Sequence, residues 1–231
     1  MIYNGEQVLD NITIDCTIFG FENNRLKILL VKRNIEPQKG MWALPGGWIG
    51  TNEDLDSAAI RLLEEATGLK GIFMKQVACF GNVNRFPNKR IITISYSALV
   101  QSEGLSVRPG PDTSEVSWMA IEDVPQLTFD HNEILEASLK TLRNHVRHYP
   151  IGLELLPEKF TLSQLQALHE AIIGTPLNKR NFRTKIIKLK VIKALNEWQK
   201  EVSHRPAQLY TFDKDVYYKV VADEYEYELV V

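Results

Sequence analysis

A glycine-rich turn that runs directly into an amphipathic helix constrains the fold of this chain more than any other segment. The turn covers residues 46–53 and contains three glycines. The helix is predicted over Asp54–Thr67, because apolar side chains recur on one face and Gly68 stands where a left-handed cap is expected. The apolar face consists of Leu55, Ala58, Ala59, Leu62, Leu63 and Ala66.

Strands and one further helix are predicted around this segment. The strand-like runs Asn11–Phe21 and Arg25–Arg33 flank a polar turn at Glu22-Asn23-Asn24. A long helix is predicted from about Asn132 to His148. Further strands are predicted at Ile72–Val83, Ile91–Val100 and Glu115–Ala120. The pattern is typical of a mixed α and β domain, which we assign to residues 1–150.

Residues 151–231 are assigned to a second domain that carries a block of positive charge. The whole chain has 231 residues and a net charge of −2, which excludes a uniformly basic, histone-like binder. Between Pro176 and Pro206 there are nine lysines and arginines against two glutamates, a net charge of +7. A local basic block in a nearly neutral chain indicates an anionic partner.

Two helices and a hairpin are predicted in this second domain. A capping box at Thr161-Leu162-Ser163-Gln164 begins the first helix, and Gly174 ends it. The second helix is predicted from Thr175-Pro176 to about Leu189. The β-prone runs that follow are Val191–Leu195 and Gln208–Phe212. This order is typical of a winged helix-turn-helix, which places its second helix in the major groove of DNA.

The second helix and the hairpin loop hold side chains of the types that contact DNA. Arginine and asparagine read base edges, and lysine neutralises phosphates. Base contacts, from side chains that point away from the core, are predicted for Arg180, Asn181, Arg183 and Thr184. Phosphate contacts are predicted for Lys179, Lys185, Lys188 and Lys190, and wing contacts for His204 and Arg205. The alternative is a solvated amphipathic helix in an all-α appendage.

We expect a cytoplasmic protein that does not enter a membrane. No apolar run approaches the roughly 18 residues that a membrane-spanning helix needs. The first ten residues lack the basic and apolar regions of a signal peptide. Cys16 and Cys79 stand alone in apolar, strand-like runs, which predicts two reduced and buried thiols.

The glycine-rich turn and its helix resemble the Nudix box, G-x5-E-x7-R-E-U-x-E-E-x-G-U, in which U is aliphatic. Seven positions match without a gap over 23 residues: Gly47, Glu53, Arg61, Leu63, Glu65, Gly68 and Leu69. The resemblance implies an α+β protein, with a Nudix-like α/β/α sandwich and a mixed sheet before the winged helix-turn-helix.

Two positions of the box depart from the family, since Leu62 and Ala66 replace glutamates that hold Mg²⁺ against a pyrophosphate in active members. Leucine and alanine offer no oxygen ligand. We therefore expect no catalytic residues, no required cofactor and no metal site, and Mg²⁺ at Glu65 only if residual hydrolysis remains. The remnant of the box is Gly47, Glu53, Arg61, Glu64 and Glu65. Glu53, Arg61 and Glu65 are predicted to form structural ion pairs.

An eroded Nudix box followed by a basic winged helix resembles the Nudix-related transcriptional regulators. In the second domain the resemblance rests on residues 155–162, 177–183 and 205–210. It implies a homodimer on a palindromic operator in double-stranded DNA. It also implies a small-molecule effector in the former substrate cavity: ADP-ribose in regulators of NAD metabolism, and a sugar or sugar phosphate in regulators of sugar catabolism.

Effector contacts are predicted for three arginines and two tryptophans, namely Arg33, Arg85, Arg90, Trp42 and Trp48. An arginine would meet a phosphate and a tryptophan would stack on a base or sugar. The alternative is that the arginines form surface ion pairs and the tryptophans simply pack. Phe86 stands where related proteins often have an acid, and Asp130 is interpreted as a helix cap.

These features support three hypotheses. The first is an effector-responsive DNA-binding repressor, based on the lost acids together with the basic block. The second is an active, Mg²⁺-dependent hydrolase of ADP-ribose or a similar nucleoside diphosphate derivative. The third is a bifunctional protein in which residual hydrolysis resets the sensor.

Overall fold

The computed structural model describes residues 1–3, 5–148, 155–200 and 205–222. The chain forms two compact units, of which the first comprises Met1–Glu22 and Leu26–Lys140. The second comprises Asn23–Arg25 and Thr141–Val231. The boundary predicted at residue 150 lies outside the described residues and stays a prediction.

The first unit is built on a mixed, eight-stranded sheet. Its strands are β1 (Ile2–Tyr3), β2 (Glu6–Glu22), β3 (Arg25–Arg33), β4 (Trp42–Ala43), β5 (Gly46–Gly50), β6 (Lys75–Phe80), β7 (Ile92–Gln101) and β8 (Thr113–Ala120). The order is β4-β3-β2-β7-β6, with β1 and β5 also paired to β2 and β8 paired to β3. The β2–β7 pairing is parallel, whereas the pairings β1–β2, β2–β5, β3–β4, β3–β8 and β6–β7 are antiparallel. The predicted α+β class with a mixed sheet is confirmed.

The turn between β2 and β3 forms where the sequence predicts it. Asn23 and Asn24 have φ angles of 52° and 58°, a left-handed conformation that asparagine tolerates better than most residues. Two successive residues of this kind match the twist of the flanking strands in a tight hairpin.

Helix α1 (Leu55–Thr67) follows the glycine-rich turn as predicted. The Asp54 carboxylate accepts a hydrogen bond from the Ser57 N–H, and Gly68 ends the helix with φ 75°. The apolar face packs on the sheet, where Ala58, Ala59, Leu62 and Leu63 are buried. A second helix, α2 (His131–His148), starts in the first unit and contributes its residues from Thr141 onward to the second unit.

The prediction of two buried thiols is wrong for Cys79. Cys16 is completely buried in β2, whereas Cys79 is exposed on β6. Strand β6 is also shorter than the predicted run Ile72–Val83. A strand at the edge of a sheet leaves more of its side chains in contact with solvent, and sequence periodicity does not identify the edge.

The second unit contains two short helices and a two-stranded hairpin, as predicted. They are α3 (Leu162–Ile173), α4 (Lys179–Lys188), β9 (Ile192–Trp198) and β10 (Gln208–Phe212), followed by α5 (Lys214–Ala222). The capping box of Thr161 and Gln164 is present, and Gly174 caps α3 with φ 81°. The core includes Phe160, Leu165, Leu168, Ile172, Phe182 and Ile186.

Helix α4 begins later than predicted, at Lys179 rather than at Thr175-Pro176. The Leu177 N–H donates to the Glu170 carboxylate (2.8 Å), and the Gln166 amide donates to the Leu177 carbonyl (3.2 Å). These two side chains of α3 hold the connection as a loop. Asn178 then caps α4 by accepting from the Asn181 N–H at 3.0 Å.

None of the helices in the described ranges is long and apolar enough to cross a membrane.

His169 lies completely buried in the core of the second unit. Its Nδ1 lies 2.8 Å from the Leu165 carbonyl oxygen, and its ring packs edge-on against Phe182 at 5.1 Å. A carbonyl can only accept, so Nδ1 carries the proton in the neutral ring, and Nε2 has no hydrogen-bond partner among the described residues. Burial lowers the pKa of His169 to about 4.

We predict that His169 makes the protein less stable as the pH falls. The unfolded chain protonates this histidine near its ordinary pKa of about 6.5, whereas the folded protein protonates it only near pH 4. The free energy of unfolding should therefore decrease between these values, by on the order of 3 kcal/mol in total. Denaturant unfolding of the wild type and His169→Leu at pH 7, 6 and 5 measures this. Equal pH dependence of the two proteins would contradict the prediction.

Candidate functional site

A cavity of about 530 Å³ lies in the first unit, beside the glycine-rich turn. This volume is in the range of small-molecule sites. On the side of the turn and α1 its wall includes Gly46, Gly47, Trp48, Leu62, Glu65 and Ala66. On the side of β2, β3, the loop between β6 and β7 and the start of α2, its wall includes Asp15, Arg33, Arg85, Phe86, Phe129 and His131.

Arg61 fixes the turn to α1. Its Nε donates to Glu53 at 2.9 Å, its Nη1 donates to Glu65 at 3.0 Å, and its Nη2 donates to the Trp48 carbonyl at 3.1 Å. A second Glu53 oxygen accepts from Arg61 and from the Gly50 N–H. The Arg61 hydrogen bonds hold the pKa of Glu53 below its usual range. The ion pairs predicted for these residues are therefore present.

The donors of the box do not fit Mg²⁺. Leu62 is buried, and a Cβ atom added at Gly47 would lie 2.8 Å from its Cδ2 atom, so leucine fills the space over the turn. Glu64 pairs with Lys70 at 2.7 Å, and Glu65 pairs with Arg61. Within the described ranges, no three His, Cys, Asp or Glu side chains gather as a metal site. Magnesium requires several oxygen ligands in octahedral geometry, and this face of α1 does not supply them.

Arg85 does not point a free guanidinium into the cavity. It donates to both oxygens of Asp130, at 2.8 and 2.7 Å, and its Nη2 lies 3.5 Å from Asp15. Its side chain is 4% exposed, which also excludes the alternative of a surface ion pair. Asp130 precedes the first residue of α2, and its backbone carbonyl accepts from the Glu133 and Ile134 N–H groups at this end of the helix. Its carboxylate does not cap the helix but binds Arg85.

His131 completes this buried network. The Leu44 N–H donates to His131 Nδ1 at 2.9 Å, so the neutral ring carries its proton on Nε2. That nitrogen lies 3.6 Å from Asp15, whose other oxygen accepts from the Thr93 hydroxyl at 2.7 Å. Burial lowers the pKa of His131, so the ring is neutral at pH 7.

Of the five predicted effector residues, the structure brings Arg33, Trp48 and Arg85 to the cavity wall. Arg33 is partly buried; its Nε donates to the Pro37 carbonyl at 3.1 Å, and its guanidinium carbon lies 5.2 Å from the centre of the Phe129 ring. Burial lowers the pKa of Arg33.

The other two predicted effector residues face elsewhere. The ring centre of Trp42 lies 5.6 Å from Lys32 Nζ, and neither residue lines the cavity. The exposed Arg90 donates to the Gly81 carbonyl.

Sequence reasoning missed Asp15, Phe129 and His131. Asp15 was detectable, because it is a lone acid inside the apolar run of β2. Phe129 was not, because the left-handed backbone that places its ring at the cavity, with φ 52°, has no signature in the sequence. His131 was not singled out, because a histidine at the start of a helix carries no signal of its own.

The basic helix α4 presents a candidate nucleic-acid surface in the second unit. The predicted contact residues Lys179, Arg180, Asn181, Thr184 and Lys188 are exposed. Lys185 is partly buried, Arg205 is exposed, and His204 lies outside the described residues.

Arg183 differs from the expectation that it points away from the core. Its Nη2 donates to the Ser163 hydroxyl of α3 at 3.1 Å, and its Nε is buried. The residue therefore ties the two helices of the motif together.

Two protein families match this chain. The NUDIX domain matches residues 12–138, and the NrtR DNA-binding winged helix domain matches residues 152–212. The two matches follow the order in which the cavity and the basic helix occur along the chain.

Relatives and solved structures match both units together. The chain is 35% identical over 205 residues to the ADPR responsive transcriptional repressor NtrR of Acinetobacter baylyi, covering 87% of this chain and 81% of the relative. It is similar to the structure of Shewanella oneidensis NrtR complexed with a 27mer DNA, with a TM-score of 0.74, 29% identity, and 90% and 95% of the two chains covered.

The cavity-bearing unit has a matching structure of its own. The NUDIX domain of the Shewanella oneidensis protein complexed with ADP ribose gives a TM-score of 0.55 and 30% identity. The match covers 58% of this chain and 89% of that one.

We predict that Arg85→Ala lowers the free energy of unfolding by about 3–5 kcal/mol, because it leaves two buried carboxylates without their cation. Arg90→Ala is the matched control, since Arg90 is exposed and bonded to a single carbonyl; it should change stability by less than about 0.5 kcal/mol. Denaturant unfolding at pH 7 compares the two variants. Similar stabilities would mean that the buried network contributes little.

Proposed function

Since the chain belongs to the NrtR family of Nudix-related transcriptional regulators, we propose that it is a DNA-binding repressor controlled by ADP-ribose. The observation that carries this proposal is the pairing of a basic recognition helix with a cavity whose box has lost its metal ligands. The first feature provides a way to bind DNA. The second provides a place for a nucleotide to bind without being cleaved.

Charge in the cavity limits how a diphosphate can bind. Three arginines line the wall, but Arg61 is bound to Glu53 and Glu65, and Arg85 is bound to Asp130. Among the described residues, the Arg33 side chain donates a hydrogen bond only from Nε, to the Pro37 carbonyl. We therefore assign the diphosphate of ADP-ribose to Arg33.

Carboxylates in the same cavity suit the hydroxyl groups of ribose. Asp15 and Asp112 line the wall, where they already accept from the hydroxyls of Thr93 and Tyr3. A carboxylate has about four acceptor sites and can accept from a ribose hydroxyl as well. Trp48 offers an aromatic surface for the adenine. A free sugar would use the carboxylates but leave Arg33 without a phosphate, so ADP-ribose makes fuller use of the site, and a sugar effector is the weaker proposal.

The oligomeric state and the kind of operator are proposed from the family to which the chain belongs, not from contacts in the structure. We propose a homodimer that places two α4 helices on a palindromic operator. Occupation of the cavity would change the spacing of these helices and therefore the affinity for DNA. This role requires a cytoplasmic protein and links it to NAD metabolism rather than to sugar catabolism.

A calorimetric titration with ADP-ribose, in EDTA and then in Mg²⁺, tests the proposal. We predict that the protein binds ADP-ribose in both buffers and that no AMP is found in the calorimeter cell after the titration. Absence of binding would overturn the assignment of the effector. Release of AMP at an enzymatic rate, abolished by Glu65→Gln, would instead support the Mg²⁺-dependent hydrolase.

Two substitutions in α4 separate base reading from phosphate binding. Arg180→Ala should reduce discrimination between operator and unrelated DNA by about 1–3 kcal/mol, because it removes a base contact. Lys188→Ala should weaken both DNAs similarly and lower the salt slope by about one. Fluorescence anisotropy at several salt concentrations measures both effects. Identical behaviour of the two variants would show that the reading face is assigned wrongly.

A further inference from the structure

We propose that Gln38 and Phe129 are positioning residues that hold Arg33 ready for the diphosphate group of the effector. The inference rests on the proposed function. It adds to it the contacts that keep the Arg33 guanidinium oriented toward a ligand in a cavity that also contains carboxylates. Neither residue belongs to the Nudix box.

Two strained residues meet beside the cavity. Gln38 has φ 62° and Phe129 has φ 52°. Left-handed backbone is uncommon for residues other than glycine, and rarer still for a bulky side chain. Such a conformation persists only where the surrounding structure holds it, and it is concentrated at binding sites.

The segment that carries Phe129 is held from several directions. The Gln38 side-chain oxygen accepts from the Thr128 hydroxyl and from the Phe129 N–H, the latter at 3.3 Å. The Thr128 N–H donates to the Trp42 carbonyl at 2.9 Å. On the other side, Asp130 is bound by Arg85. These contacts fix the backbone on both sides of the phenylalanine and so fix the direction of its ring.

The ring in turn supports Arg33. The guanidinium carbon lies 5.2 Å from the ring centre, within the range of a cation–π interaction. Phe86 packs against the same ring at 4.8 Å and restricts its movement. Arg33 Nε donates to the carbonyl of Pro37, the residue before Gln38. The same short loop therefore holds both the arginine and the ring beneath it.

This arrangement leaves the two terminal nitrogens of Arg33 for a ligand. They make no hydrogen bond to the described residues, whereas Nε is already engaged. A guanidinium held in this way presents two parallel N–H groups, the geometry that binds phosphate oxygens in pairs. Because its orientation is set before the ligand arrives, less conformational entropy is lost on binding.

Replacing the ring without emptying the site tests the role of Phe129. Phe129→Leu should raise the Kd for ADP-ribose about fivefold to thirtyfold, since it removes the cation–π contact. Phe129→Tyr keeps the ring and should stay within about threefold of the wild type. Phe73→Leu is the matched control, because Phe73 lies in the same unit with its side chain 80% exposed; it should leave the Kd unchanged.

A double-mutant cycle shows whether the effect passes through Arg33. In an Arg33→Gln background, Phe129→Leu should add no more than about twofold to the Kd, because the group that it positions is gone. The Gln38→Asn substitution shortens the side chain but keeps a residue type that tolerates left-handed backbone. It should raise the Kd in the wild type and have little effect beside Phe129→Leu. Thermal melting and operator affinity without ligand verify that each variant is folded.

The outcomes separate this inference from the proposed function. If the wild type binds ADP-ribose and Phe129→Leu binds it equally well, the positioning role is wrong while the regulator remains supported. If Phe129→Leu weakens binding by the same factor with and without Arg33, the ring contacts the ligand directly and the inference is overturned. If the wild type itself does not bind ADP-ribose, the proposed effector fails first.

Discussion

The contact between Arg61 and the glycine-rich turn is the interaction on which the cavity of the first unit depends. One guanidinium binds Glu53 and Glu65 and the backbone of Trp48, and so joins the turn to α1. An active Nudix box requires this geometry to place its acids around a metal. Here the geometry is kept although the acids at positions 62 and 66 are absent. The cavity beside the turn is therefore present without oxygen ligands at these two positions.

The replacement of those acids changes what the cavity can recognise. Leu62 packs over Gly47 and adds apolar surface, while the remaining box carboxylates are held by Arg61 and Lys70. A pyrophosphate can no longer be bound through a metal on this face. In the proposed regulator, a side-chain cation recognises the diphosphate instead, and Arg33 lies in the cavity wall for this role. The proposal thus gives different roles to two walls of the cavity: one lacks the metal ligands of the Nudix box, and the other supplies the positive charge.

Much of this organisation was predictable from the sequence, because it depends on local signals. The helix α1 with its caps, the Asn23-Asn24 turn, the capping box of α3 and the hairpin β9–β10 all follow from short patterns of residues. The NrtR-type architecture followed from the box and the basic block. The ion pair between Arg61 and Glu65 follows from their spacing on one helix.

The features that the sequence did not predict depend on contacts between residues that are far apart along the chain. Arg85 and Asp130 are 45 residues apart and meet only in the folded unit, so their pairing left no local pattern. The late start of α4 results from two side chains of α3 that capture Leu177. Exposure of Cys79 depends on the position of β6 in the sheet, and the direction of Arg183 depends on Ser163 of another helix. In each case a tertiary contact overrides the local preference.

The central claim is that ADP-ribose controls DNA binding without being cleaved. A single titration that records DNA binding and nucleotide cleavage in the same sample tests it most directly. A fluorescent operator fragment is saturated with the protein in EDTA, ADP-ribose is added, and anisotropy and AMP are recorded from the same sample. We expect the operator affinity to change with ADP-ribose while no AMP is formed. An anisotropy that stays constant, or that changes only when Mg²⁺ is supplied and AMP accumulates, would contradict it.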